Sequence, residues 1–239
     1  MQFGQYHYLP LPPTYFGILV VIFLVVVVLL MSLRYAYLIL GVSPGMALLL
    51  LLSSLIGSIF NIPLVELPPE RVMSDQVVDY FGMRYVVPVV GQLDGTMIAI
   101  NVGGAVIPVL MSIYLLAKHE LWGKGLIATA VVAFIIHWLA NPVPGIGIAV
   151  PVFEPAVITA VVALVLSRDH AAPLAYIAGS LGTLIGADLT NLDKVRGLGA
   201  PIASIGGAGT FDGIFLTGIL AVLLASLYHP RQRQQPQPL

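Results

Sequence analysis

TYFGILVVIFLVVVVLLMSL, residues 14–33, holds no charged side chain in twenty positions. An α-helix needs about 20 apolar residues to cross a bilayer, so this stretch predicts a membrane-spanning helix. The whole chain agrees with it: of 239 residues 59% are hydrophobic and 9% are charged. A soluble domain carries about 25% charged residues, and so little polar surface predicts an integral membrane protein. The segment before the first apolar run, MQFGQYHYLPLPPTY, has no basic residue, against the charged start of a cleaved secretory signal. The chain has no cysteine, which removes disulfides and thiolate metal sites. Its ten Lys and Arg form no basic stripe, so no nucleic-acid partner is expected.

Working outward, six more apolar runs follow, at about 44–62, 96–117, 123–140, 152–167, 173–190 and 202–228. Runs of this length are too long for barrel strands, which alternate over about ten residues. The expected fold is all-α, a polytopic membrane helix bundle of about seven transmembrane helices. Residues 1–228 form one transmembrane domain, and the polar, Pro-rich tail HPRQRQQPQPL (229–239) reads as disordered. With the N-terminus outside, the inner segments hold Arg34, Lys118, Lys124, Arg168, Arg231 and Arg233. The outer segments hold Arg71, Arg84, Lys194 and Arg196. The bias of basic residues toward the inside predicts a multi-pass cell-membrane protein with a cytoplasmic C-terminus. Of the acids, only Glu120 and Asp169 fall inside; Glu66, Glu70, Asp75, Asp79, Asp94, Glu154 and Asp193 fall outside, with Asp188 and Asp212 in the outer parts of their helices. An acidic outer half favours cations there.

Two features recur in the same order. SPGMALLLLLSSLIGSIFNIPL (43–64) aligns without a gap on APLAYIAGSLGTLIGADLTNLD (172–193), and NVGGAVIPVL (101–110) aligns on SIGGAGTFDG (204–213). Gly103, Gly104 and Ala105 thereby meet Gly206, Gly207 and Ala208. Such self-similarity predicts an internal duplication, laid out as three helices (14–117), a linking helix (123–140) and three helices (152–228). The copies would run parallel, as in some transporters. The first copy carries an extra stretch, 65–94, whose alternating VVDYFGMRYVVPVV predicts an outer β-hairpin. It is either a lid over a site or an addition with no part in it.

The stretch GGAGTFDGIFLTGILAVLLASL (206–227) places Asp212 in an apolar run. A charge at mid-bilayer costs roughly 2.5–3.5 kcal/mol on insertion scales, and intramembrane acids are usually functional. Glycine disfavours regular helix and proline removes a backbone donor. Gly103, Gly104 and Pro108 in one copy, and Gly206, Gly207 and Gly209 in the other, are therefore expected to break the third helix of each. Broken helices are a common way to build a membrane binding site; close helix packing at the glycines is the alternative. Asp188, in LIGADLTNLDKVRG, ends the sixth helix near Asp212 in depth. Asn61, Asn101, Thr190 and Asn191 would complete a shell of oxygen and amide ligands.

Two facing carboxylates suit cation binding, proton relay or an aspartyl dyad that activates water. The leading expectation is a transporter or channel-like protein with an outward-facing acidic site for a small cation or cationic solute, with the lipid bilayer as its other partner. No cofactor or dedicated metal site is expected; the coupling ion would be Na⁺ or H⁺. The alternatives are an intramembrane aspartyl hydrolase using Asp188 and Asp212, and a structural subunit in which those acids pair with Lys194 and Arg196. His137, Trp138 and Glu154 are weaker candidates near the same end. No Walker loop, HExxH or Gly-x-Ser-x-Gly occurs, so nucleotide hydrolysis, zinc proteolysis and hydrolase-elbow chemistry lack support.

The paired features LIGSIFNIPL…NVGGAVIPVL and LIGADLTNL…SIGGAGTFDG resemble those of an uncharacterised prokaryotic integral-membrane family, over about 35–228. That resemblance implies no activity. The two acids also resemble the pair in presenilin-type intramembrane aspartyl proteases. Here they stand in GAD and GTFD, without the Tyr-Asp, Gly-x-Gly-Asp and Pro-Ala-Leu motifs of those enzymes.

Overall fold

The computed structural model describes residues 13–80, 83–93, 95–143, 147–151, 153–196, 198, 200–207 and 213–228. Among these residues seven α-helices occur: α1 (Pro13–Ile39), α2 (Pro44–Gly57), α3 (Ile107–Lys118), α4 (Trp122–Leu139), α5 (Glu154–Leu166), α6 (Ala171–Thr183) and α7 (Gly213–Leu227). Their number and order match the seven apolar runs. Three helical segments are long and apolar enough to cross a membrane: Gly17–Ile39, Trp122–Leu139 and Ala171–Val195, the last being α6 with its non-α continuation.

The fold is not all-α. The runs at 96–117 and 202–228, expected to be helical throughout, begin as strands. β4 (Met97–Asn101) precedes α3, and β7 (Ile202–Ile205) precedes α7. The end of the 44–62 run is likewise a strand, β1 (Asn61–Glu66). β4 lies between the other two, antiparallel to β1 and parallel to β7. Local sequence permits the strands, and pairing with one another selects them. MIAIN has isoleucine at alternate positions and IASI has it at both ends, and β-branched residues of this kind suit a pleated strand as well as a helix entry. Glycines follow both strands and discourage helix from running back through them.

The stretch 65–94 does form a hairpin, β2 (Glu70–Tyr80) with β3 (Met83–Leu93), paired antiparallel from Glu70↔Leu93 to Tyr80↔Met83. A second, smaller hairpin joins β5 (Asn141–Val143) to β6 (Gly147–Ala149).

α6 is the central helix: every residue from Ala171 to Ser180 is buried. Its small side chains make this possible, because helices without bulk can approach closely. A Cβ on Gly179 would stand 3.0 Å from the Cα of Gly218 in α7, and one on Gly182 would meet the Val132 side chain of α4 at 2.6 Å. One apolar cluster joins Tyr37, Leu51, Leu115, Tyr176 and Ile219 across α1, α2, α3, α6 and α7. Another joins Val132, Ile136, Ala163, Leu174 and Ala221 across α4 to α7. α1 touches the bundle mainly through its last turns, at Leu33, Ala36 and Tyr37, while Ile18 to Val26 lie exposed.

The chain alternates direction, so helix ends collect in two sets. At one end Lys118 Nζ donates to the Gly41 carbonyl at 2.7 Å, Lys124 Nζ donates to Ser167 Oγ at 3.3 Å, and the Arg168 guanidinium lies 5.9 Å from the Tyr228 ring centroid. At the other end lie the three-stranded sheet, Asp188 and the small hairpin.

Candidate functional site

The sheet gathers polar side chains from distant parts of the chain. Asn61 and Asn101 are register partners on β1 and β4. Asn101 is fully buried and makes three hydrogen bonds. Its Nδ2 donates to the Ser58 carbonyl at 2.7 Å and to Asn61 Oδ1 at 3.1 Å, while its Oδ1 accepts the Gly104 N–H at 2.8 Å. The network fixes the amide orientation, since a flipped amide would set its oxygen against two acceptors. Asn101 thus caps the helix that starts at residue 102, satisfying one of its orphan N–H groups. Asn61 Oδ1 also accepts the Ser204 hydroxyl of β7 at 2.6 Å. One side-chain oxygen therefore ties all three strands together.

Glycines bring the backbones into contact beside this network. The first turn after Asn101, Val102–Val106, is π-helical. A Cβ on Gly103 would collide with Ser54 O and Ser58 N of α2, and one on Gly104 with the Gly206 carbonyl. Ser54 Oγ donates to the Gly103 carbonyl at 2.8 Å, closing the α2 side of the seam. Gly206 has φ +94° and Gly207 φ +84°, left-handed values that glycine adopts without strain. The expected helix break is therefore of two kinds. Gly103 and Gly104 sit in a π-helical turn, whereas Gly206 and Gly207 turn the chain after a strand. Pro108 directly follows the π-helical turn, in the first turn of α3, and its missing N–H leaves a carbonyl of that turn without a helical donor.

Asp188 ends a second π-helical turn, Leu184–Asp188, which continues α6 and leads into a 3₁₀ segment, Leu189–Val195. Its Oδ2 accepts the Gly206 N–H at 2.7 Å, a charge-assisted bond of the stronger kind. The half-buried carboxylate thus reaches from α6 to the turn after β7. It lines a cleft of about 230 Å³, together with Ser204, Gly207, Ile148, Leu192 and Ile205.

Thr190 and Asn191 lie just beyond. Asn191 is buried; its Nδ2 donates to the Gly186 and Ala187 carbonyls, both at 2.9 Å, and its Oδ1 accepts Lys194 Nζ at 2.6 Å. These bonds satisfy carbonyls that the change of helix type frees. Thr190 Oγ1 donates to the Gly186 carbonyl at 2.8 Å and lies 2.8 Å from His137 Nδ1. With the hydroxyl proton already committed, His137 Nδ1 is the donor. The link ties α4 to the 3₁₀ segment. Gly186 makes the approach possible, since a Cβ there would collide with the Ala133 carbonyl.

The sequence candidates fall into two groups joined through Gly206. Asn61 and Asn101 form one, and Asp188, Thr190 and Asn191 the other. Asp212 and Gly209 lie outside the described residues. Ser58, Ser204 and His137 complete the network. Ser204 carried a signal, for it is the residue that aligns with Asn101 in the repeat. Ser58 carried none, because it contributes only a backbone carbonyl to Asn101. Among the described residues no group of three or more His, Asp or Glu side chains is placed to hold a metal ion.

Comparison with known proteins bears on the same region. No curated protein and no solved structure matches the chain. A family described as "Protein of unknown function (DUF1614)" matches residues 55–224, well over half of the chain and the whole of the site just described. α1 and most of α2 lie before the matched region. The chain belongs to the DUF1614 family, whose function is unknown.

Proposed function

We propose that this chain is a multi-pass membrane protein that binds a small cation or cationic solute at the cleft beside Asp188 and passes it across the bilayer. The N-terminus lies outside and the C-terminus inside, and the cleft opens outward. The observation that carries the reading is the Asp188 carboxylate at the wall of a cleft shared with Ser204, where α6 departs from α-helical geometry. Non-α turns at membrane depth occur where freed backbone groups face protein or a watery cavity, and they recur at transport sites. The exposed apolar length of α1 supports a lipid surroundings. So does a bias of charge: Arg34, Lys118, Lys124 and Arg168 outnumber Glu120 and Asp169 at one set of helix ends, and Glu66, Glu154, Asp188 and Asp193 outnumber Lys194 and Arg196 at the other.

The same reading includes a duplicated core of three helices, a linking helix and three helices. Two observations favour it. β4 leads into α3 and β7 leads into α7, and the two strands lie side by side and parallel. Repeats related by an axis along the membrane normal require that direction. Asn101 and Ser204, which align in sequence, also both donate to Asn61 Oδ1.

The test is flux. The full chain in proteoliposomes is challenged with Na⁺, K⁺, H⁺ and tetramethylammonium gradients at two pH values, beside Asp188→Asn. Flux of at least one cation that Asp188→Asn removes, with insertion intact, is the expected result. No cation flux in the parent, or flux unchanged in Asp188→Asn, would count against it.

A further inference from the structure

A second cavity lies at the other set of helix ends, a groove of about 550 Å³ between the α1–α2 turn, α2 and α3. Apart from Ser53 its wall is apolar: Met46, Leu50, Ile107, Leu110, Met111 and Tyr114. Met46, Leu110 and Tyr114 are all exposed, so the groove is open along its side. Its volume is that of a small-molecule site.

The mouth differs from the wall. Gly41 and Ser43 line it. Lys118 Nζ stands there, donating to the Gly41 carbonyl at 2.7 Å and lying 5.4 Å from the Tyr114 ring centroid. Among the described residues no carboxylate pairs with Lys118, and none of the lining residues is acidic. The first turn of α2 begins at the same mouth, with Ser43 accepting the Met46 N–H at 3.4 Å. The cavity is thus mainly apolar along its length and cationic at one end, and Arg34, Lys124 and Arg168 lie toward the same helix ends.

We propose that this groove binds one acyl chain of an anionic phospholipid, with its phosphate at Lys118. A chain of methylenes fills an apolar, side-open groove that water would fill at a cost. The phosphate supplies the anion that Lys118 lacks, and the Tyr114 ring marks the level where aromatic side chains meet headgroups. The site rests on the membrane reading but not on the cation site.

The experiment uses the full chain, purified in detergent and given an equimolar mixture of phosphatidylglycerol and phosphatidylcholine. Native mass spectrometry then counts the lipid retained. One retained lipid, mostly phosphatidylglycerol, is expected. Lys118→Gln is expected to lower the preference about five-fold, the contribution of one lysine near an anionic surface. Leu50→Trp fills the groove and is expected to abolish retention. Met46→Trp fills it from an exposed position, so it tests the same point without disturbing buried packing. Asp188→Asn is expected to retain lipid like the parent, which separates failure of this site from failure of the cation site. Equal retention of both lipids, or retention unchanged by both tryptophan variants, would overturn the proposal. So would a second copy of the chain in place of lipid.

Discussion

Asn101→Ala tests whether the junction of the three strands is a structural anchor. The side chain is fully buried and holds Ser58 O, Asn61 Oδ1 and the Gly104 N–H. Asn61 Oδ1 keeps its bond from Ser204 when Asn101 is truncated, so it is not orphaned. The other two lose their partner. Loss of the helix cap costs about 1 kcal/mol, and leaving a buried carbonyl unsatisfied costs about 1–3 kcal/mol. The sum is about 2–4 kcal/mol, or a fall in melting temperature of about 5–15 °C for a domain of this size. Asn101→Asp should be worse than Asn101→Ala. It keeps the cap acceptor but sets a second oxygen against Ser58 O and Asn61 Oδ1. Ser112→Ala is the control: Ser112 is as deeply buried, but its hydroxyl has no hydrogen-bond partner. The assay is thermal unfolding of the full chain in detergent, followed by circular dichroism. An Asn101→Ala variant that melts with the parent, or no lower than Ser112→Ala, would refute the reasoning.

Two further predictions concern the backbone seam and the opposite helix ends. Gly104→Ala forces a methyl group against the Gly206 carbonyl and should destabilise by about 1–3 kcal/mol, the usual penalty of overpacking. Gly123→Ala in α4, where a Cβ meets nothing within 4 Å, should be neutral or stabilising by up to about 1 kcal/mol; equal melting of the two variants would contradict the seam. His119, between α3 and α4, has its imidazole held below the usual histidine range, first by burial and then by the charges of Lys118 and His170, with the Leu40 carbonyl opposing. Its ring centroid lies 5.7 Å from that of His170. The unfolded chain therefore takes up this proton first. The stability His119 contributes is present above the unfolded value near 6.5 and is lost as pH falls from there through the lower folded value. His119→Gln should remove that part of the acid destabilisation, seen as a shallower slope of melting temperature against pH; identical slopes would exclude it.

The composition and the long uncharged runs determined much of this protein: seven helices in order and the hairpin within 65–94. Those features depend on residues close together in the chain. An apolar run keeps its character whatever it packs against, and a hairpin's two strands are joined by their own turn. Aligning 101–110 with 204–213 also set Asn101 against Ser204, a relation visible in the residues alone.

Tertiary structure decided the rest. MIAIN and IASI became strands because β4 pairs with β1 and with β7, a segment about a hundred residues further along the chain; nothing in either stretch announces its partner. The glycines took different roles for the same reason: Gly103 answers to the backbone of α2, Gly104 to the Gly206 carbonyl. Asp188 could be picked out as an acid in an apolar setting, but its partner, the Gly206 N–H, belongs to a turn fixed by strand pairing. A backbone donor has the same chemistry at every non-proline residue. Which one meets a given carboxylate is set by the path of the folded chain, not by residue type.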